Sequence, residues 1–212
     1  MPSVLVTHDG ARAHDPDTYR KDAALIERAL EESPEDPRLQ FYLAQSLRDA
    51  GDLDGALSAY QCRRANTAGW HKERWQSAYQ IARILERLER PVAEVVDAHL
   101  DAFQMCPWRA EPLVEAARLE RSRGRFEVAL LLARTAAALP EPGGEGLFVE
   151  TAAYTWRAWD EVAVSAYWTG RYAEGEEAAT RALAANPHEV RLQENLAWCR
   201  RALAEGGSTD AH

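Results

Sequence analysis

The 212-residue chain has little cysteine, no excess of basic charge and no long apolar run. Each shortage excludes something. Cys62, Cys106 and Cys199 are the only cysteines and form no CxxC spacing, which excludes a disulfide framework and a cysteine-rich zinc module. They read as buried free thiols of a protein in a reducing cytoplasm. With 34 acidic against 25 basic residues the formal net charge is −9, so a nucleic-acid partner is not expected. The longest apolar stretch, residues 128–139, is interrupted by Arg134 and is too short to span a bilayer. The opening MPSVLVTHDG has neither a basic n-region nor a long apolar core, so it does not read as a signal peptide. There is no G-x-S-x-G, Walker loop, H-E-x-x-H or G-x-G-x-x-G, so no catalytic residue, metal or cofactor is expected. No alternating apolar run flanked by hairpin turns occurs, which argues against strands.

What the chain does have is a regular punctuation of glycine and proline. Apolar residues at 46% and charged residues at 28% are a normal balance for a folded chain, and the length suffices for a real core. Pro34 and Gly51 stand 17 residues apart, as do Pro107 and Gly124, and Gly170 and Pro187. Pro34 to Pro107 and Gly51 to Gly124 both span 73. A half-period of this size gives a full period of about 34, that of stacked helix–turn–helix repeats. Asp36 suits an N-cap and Pro37 the first helical turn. Leu39, Leu43, Ala44 and Leu47 then fall on one helical face, Gly51 turns the chain, and Leu53, Ala56, Leu57 and Tyr60 open a second apolar face.

The same pattern recurs at 75–88 with 92–107, at 110–124 with 125–140, and at 148–170 with 171–187. A helix over 17–32 precedes the set. One over 188–204 closes it, with Leu192, Leu196 and Trp198 beside Glu194, Arg200 and Arg201. Residues 65–70 and 140–146 read as linkers. The expected fold is all-α: a right-handed superhelix of about four helical hairpins with flanking helices over 15–205, an irregular leader over 1–14 and a flexible tail over 206–212.

In the fourth pair Trp159, Gly170, Tyr172, Ala182 and Pro187 match the tetratricopeptide-repeat (TPR) spacing. Together with FYLAQSLRDAGD, AYQIARILERL, RAEPLVEAARLERSRGRF, TWRAWDEVAVSAYWTGRY and the leader DGARAHDPDTYRKDAALIERAL, these residues resemble the TPR region that follows the catalytic domain of certain bacterial family 2 glycosyltransferases. The resemblance runs from about Asp9 to Leu203. It implies a repeat scaffold and carries over no catalytic residue, because the eight residues before the leader leave no place for the nucleotide-sugar domain. The DxD letters at Asp15–Asp17 and at Asp52–Asp54 read as helix caps or turns. His8, Asp9, His14, Asp15 and Asp17 match no closed metal-ligand spacing.

The resemblance also implies which helices line the concave face: the first of each pair. Positions 2, 5, 6, 9, 12 and 13 of the repeats there hold no lysine and are rich in arginine, glutamine and aromatics. Tyr42, Gln45, Arg48, Tyr79, Arg83, Glu86, Glu111, Arg118, Arg121, Asp160, Tyr167 and Trp168 are the expected groove residues, with Arg83 and Arg118 both at position 9. Guanidinium forks suit carboxylate or phosphate, and rings stack on planar or sugar faces. The alternative is an internal Arg–Glu network that holds the stack. Trp159, Tyr60 and Tyr172 fall at packing positions. The lysine and asparagine with which chaperone-binding repeats clamp a C-terminal carboxylate are replaced by Phe41/Gln45, Tyr79/Arg83 and Val114/Arg118.

The leading expectation is a non-catalytic scaffold, cytoplasmic and monomeric or homodimeric. Its partner would be a protein or peptide, such as a glycosyltransferase or biosynthetic enzyme, or an anionic or sugar-containing small ligand. No nucleic acid or membrane is expected. The alternative is an accessory component of glycosyl transfer, or a TPR-fold enzyme using Arg118, Glu86, Asp160 and Tyr167 in the same groove.

Overall fold

The computed structural model describes residues 16–143 and 148–206. The leader expected to be irregular, its His8, Asp9, His14 and Asp15, part of the 140–146 linker and the tail beyond Gly206 lie outside these residues. Every regular element among the described residues is helical. In chain order these are α1 (Pro16–Glu32), α2 (Pro37–Ala50), α3 (Leu53–Ala65), α4 (His71–Arg87), α5 (Val92–Met105), α6 (Glu111–Ser122) and α7 (Phe126–Ala137). A five-residue π-helical segment, Ala153–Arg157, then runs into α8 (Ala158–Trp168), followed by α9 (Tyr172–Ala185) and α10 (Val190–Gly206). The all-α expectation and its helical segments are thus met.

The local reasons are those the sequence advertises. Asp36 caps α2, accepting from the amides of Arg38 at 2.8 Å and Leu39 at 3.0 Å, with Pro37 at the first helical position. Asp52 caps α3 through the Gly55 amide at 2.9 Å. Asp17 sits in the first turn of α1 and pairs with Arg20 at 2.6 Å. Gly51, Gly124 and Gly170 each adopt positive φ, at 86°, 71° and 76°. In each case the glycine amide and the following amide bond back to carbonyls of the preceding helix, so the three closures are the same. That explains the 17-residue spacing: a left-handed residue is needed one helix after each break. Between α4 and α5 the left-handed position is taken instead by Glu89, at φ 54°.

The chain divides into two compact units, with the boundary at Leu88/Glu89. This boundary falls inside the second hairpin expected from the sequence. In the first unit α1 packs on α2, α2 on α3 and α3 on α4. Its core sets four buried rings among alanine, isoleucine and leucine. Phe41 meets Tyr60 edge-on at 6.3 Å between centroids, and Trp75 stacks on Tyr79 at 5.6 Å. All four rings are buried. Burial pushes the Tyr60 hydroxyl up to about 12. The 65–70 linker is tied down rather than slack. The buried Arg63 guanidinium donates to the carbonyls of Asn66 at 2.9 Å and Trp70 at 3.0 Å, and pairs with Glu73. The Asn66 side chain donates to the Glu35 carbonyl at 3.0 Å.

In the second unit each helix packs on its neighbour in sequence from α5 to α10, and α8 also meets α6 and α10. Its core is built on alanine. One cluster combines Ala117, Ala133, Ala163, Ala166, Ala178 and Ala179 with Leu130, Val162 and Leu196. A second joins Ala110, Ala136, Ala153 and Ala158 to Leu113 and Val114. Small side chains let helix backbones approach closely. At Gly175 a Cβ would lie 2.9 Å from Cys199 Sγ and 3.2 Å from the Ala163 carbonyl. Cys106 and Cys199 are buried, and burial raises both thiols, Cys106 to about 11. Cys62 corrects the sequence reading: it is exposed, because it lies off the α3 stripe of Ala56, Tyr60 and Arg63.

Candidate functional site

The charged residues of the second unit are laid out as a ladder between α6, the π-helical segment, α8 and α10. At its first rung Glu111 is fully buried. Arg109 donates to it through Nη2 at 2.6 Å, the Tyr154 hydroxyl donates at 2.6 Å, and the Glu150 amide at 3.3 Å. The Tyr154 oxygen in turn accepts from the Ala110 amide at 3.1 Å. Burial, then the bond to Glu111, raises the Tyr154 hydroxyl. The second rung is Glu115, which accepts from Arg157 at 2.5 Å and Arg118 at 2.8 Å. Burial opposes its charged form, yet the two guanidiniums outweigh it and hold the carboxyl down at about 2. At the third rung Arg121 grips Glu161 with both arms of its fork, at 2.7 and 3.1 Å. Burial raises the Glu161 carboxyl against that pull. At the fourth Asp160 accepts from Arg191 at 2.5 Å and Asn195 at 2.8 Å.

The π-helical segment has a part in this. Its wider turn inserts one residue into the helical phase, and Tyr154 and Arg157, both within it, reach successive glutamates of α6. Of the expected groove residues, Glu111, Arg118, Arg121 and Asp160 therefore all have carboxylate or guanidinium partners inside the unit. That is the arrangement of an internal Arg–Glu network.

The other expected residues of this unit stand apart from the ladder. Tyr167 and Trp168, at the end of α8, join a chain of ring contacts. Trp168 stacks on Phe126 at 5.3 Å with 13° between planes. Tyr167 meets Trp168 at 5.6 Å and 89°, Tyr172 at 5.6 Å, and Trp198 of α10 at 6.2 Å. Trp168 is 56% exposed and Trp198 50%. Tyr167, Trp168 and Trp198 line a pocket of about 360 Å³ together with Arg201, Ala202 and Glu205. Trp198 corrects the sequence reading, which placed it beside Leu192 and Leu196 on the apolar face. The buried stripe of α10 is Leu192, Leu196 and Cys199. At helical spacing, residue 198 lies off that stripe. The signal was available in the 192/196/199 period.

In the first unit Tyr42 and Gln45 line a second pocket, of about 400 Å³, between α1 and α2, with Tyr19, Leu25, Ile26 and Asp49 among its walls. Arg38 lies over the Tyr42 ring at 5.3 Å and donates to its hydroxyl at 2.8 Å. Arg48 donates to Asp49 at 2.8 Å and to the Tyr60 hydroxyl at 3.3 Å. Tyr79 is buried, with the exposed Arg83 over its ring at 5.7 Å; Glu86 is half-buried. Of the residues assigned to packing, Tyr60 is buried, while Trp159 is partly buried beneath Arg181 at 4.4 Å and Tyr172 is half-buried. Among the described residues no three His, Cys, Asp or Glu side chains are grouped to hold a metal ion. No helix among them is long and apolar enough to cross a membrane.

Comparison with known proteins agrees with this architecture. Residues 20–68 match the tetratricopeptide repeat family. No curated protein matches the chain. Among solved structures, MamA is similar over 88% of this chain and 99% of its own, with 11% identity and a TM-score of 0.63. The C-terminal part of a TPR repeat-containing protein from Cytophaga hutchinsonii is similar over 92% of this chain and 69% of its own, at 12% identity and a TM-score of 0.63. YrrB, described as a TPR protein with an unusual peptide-binding site, is similar over 84% of this chain and 83% of its own, at 11% identity and a TM-score of 0.60. At such identities the likeness shows the fold: stacked TPR-type helical hairpins.

Proposed function

We propose that this chain is a non-catalytic binding scaffold that takes a protein segment on the aromatic surface of α8 and α10. The observation that carries the reading is the contrast inside the second unit. Its ladder arginines are spent on internal carboxylates, whereas Trp168 and Trp198 expose half their surface beside a pocket. Exposed, clustered large rings are a poor use of surface unless a partner covers them. Tryptophan and tyrosine are the residue types over-represented among binding hot spots. A description of YrrB as peptide-binding, on a similar fold, supports the same class of function. The ion-paired state of Glu111, Arg118, Arg121 and Asp160 argues against an anionic ligand at those four positions, because binding there would compete with a carboxylate already in place.

The test is affinity purification from the native cell with Trp168→Ala and Trp198→Ala as paired baits. A protein recovered with the native chain and lost from both variants, at unchanged helical circular dichroism, is the expected result. Equal recovery by all three baits would defeat the assignment to this surface.

A further inference from the structure

Resting on the scaffold reading, we infer that the α8–α10 pocket recognises a peptide segment in which an aromatic or large apolar side chain stands next to a single acidic residue. The argument begins with the arginines of the second unit. Arg90, Arg109, Arg118, Arg121, Arg123, Arg125, Arg134, Arg157, Arg171, Arg181, Arg191 and Arg200 all make ion pairs with carboxylates. Arg201 alone among the described arginines of the unit does not, and it lines the pocket that Tyr167, Trp168 and Trp198 also line. Among the described residues of this unit, the one guanidinium without a carboxylate partner stands where the rings are exposed.

The two features call for two groups on one ligand. The rings offer apolar faces, with Tyr167 set at 89° to Trp168, so a flat or bulky apolar side chain finds a wall and a floor together. The Arg201 fork offers paired N–H donors to a carboxylate. Glu205 closes the same pocket with negative charge. It disfavours a run of acids, so one acid, not several, is the matching pattern. The net charge of −9 works in the same direction.

The test is selection of a random decapeptide library, displayed on phage through a C-terminal fusion, against the intact chain. The fusion leaves no terminal carboxylate as a competing anion. The expected enrichment is an aromatic or large apolar residue within two positions of one Asp or Glu. For an enriched peptide made synthetically, Trp198→Ala should weaken binding at least tenfold, and Arg201→Ala about tenfold or more, the usual range for a charge-assisted contact. Arg201→Lys should recover only part of the loss, since the charge stays and the fork goes. Arg201→Ala should also lose the acid preference on reselection, which a merely structural arginine would not do. Both positions are exposed, so thermal melts should stay unchanged. Enriched peptides that bind all three variants as well as the native chain would overturn this inference while leaving a scaffold with another surface. A library that yields no binder would overturn both readings. Basic or acid-free binders lost on Trp198→Ala would keep the surface and overturn the acidic partner.

Discussion

The two units build the same helical hairpins from different materials. The first relies on large buried rings, with Phe41, Tyr60, Trp75 and Tyr79 filling the space between α2, α3 and α4. In the second, alanine holds the helices close, and a ladder of carboxylates and guanidiniums joins α6 to α8 and α8 to α10. Close approach explains the ladder. When backbones are separated only by methyl groups, longer residues at the edges are forced together, and opposite charges there satisfy each other. In the second unit Phe126, Tyr167, Trp168, Tyr172 and Trp198 meet ring to ring at the α8–α10 end, while Phe103 and Trp159 pack against the alanine clusters.

The largest expected effect breaks each unit by its own mechanism. Trp75→Ala removes a fully buried ring and should cost about 3–5 kcal/mol through the cavity left behind. Glu111→Ala should cost a similar amount, about 3–5 kcal/mol, for another reason: the buried Arg109 is left without its partner. The sharpening experiment is the pair Glu111→Leu with Arg109→Met. If the ladder acts by mutual satisfaction, the double variant should melt well above the Glu111→Ala single variant. No second substitution should rescue Trp75→Ala. Denaturant melts measure all of these, and a double variant as unstable as the single would refute the pairing account.

A smaller effect separates the units by pH. Glu115 has its carboxyl held near 2, below its ordinary 4.5. A depressed carboxyl contributes stability above the unfolded value and loses it as pH falls through the folded one. The contribution should be about 2–3 kcal/mol, disappearing between roughly pH 4.5 and 2. In the first unit Tyr60 is raised to about 12, so the sign reverses. Its contribution is present below pH 10 and is lost as pH rises through about 12. Glu115→Gln should therefore flatten the acid limb of the melting curve and leave the alkaline limb alone, whereas Tyr60→Phe should do the opposite. Thermal melts across both limits check this. An acid limb unchanged in Glu115→Gln would place the acid sensitivity elsewhere.

The smallest effect concerns the turns. Gly51, Gly124 and Gly170 occupy the left-handed region at no steric cost, but Glu89 occupies it with a side chain. Glu89→Gly should stabilise by up to about 1 kcal/mol, and Gly51→Ala should destabilise by about the same amount. A melting temperature lowered by Glu89→Gly would show that the Glu89 side chain contributes more than its backbone costs.

The regular part of the fold was legible because it depends on local chemistry. A proline or aspartate starts a helix, a glycine ends it, and apolar residues at helical spacing mark the buried face. Asp36, Asp52 and the three glycines act in the structure as their residue types suggest. The candidate site was only half legible. Tyr167 and Trp168, expected in a concave groove beside Arg83 and Arg118, line a pocket with Trp198 and Arg201 of α10, and Trp198 looked like a capping-helix core residue until the 192/196/199 stripe was seen to exclude it. Glu111, Arg121 and Asp160 read equally well as groove residues or as network residues, because the letters are the same in either role.

The sequence by itself determined the helices, their caps and turns, and the absence of strands among the described residues, because each follows from interactions within a few residues of chain. Only the tertiary structure decided which charges are spent and which are left. Arg157 meets Glu115 across 42 residues and Arg191 meets Asp160 across 31, while Arg201, next to the paired Arg200, meets no carboxylate among the described residues. An ion pair is a matter of distance in space, and a helix wheel assigns a direction but not a neighbour.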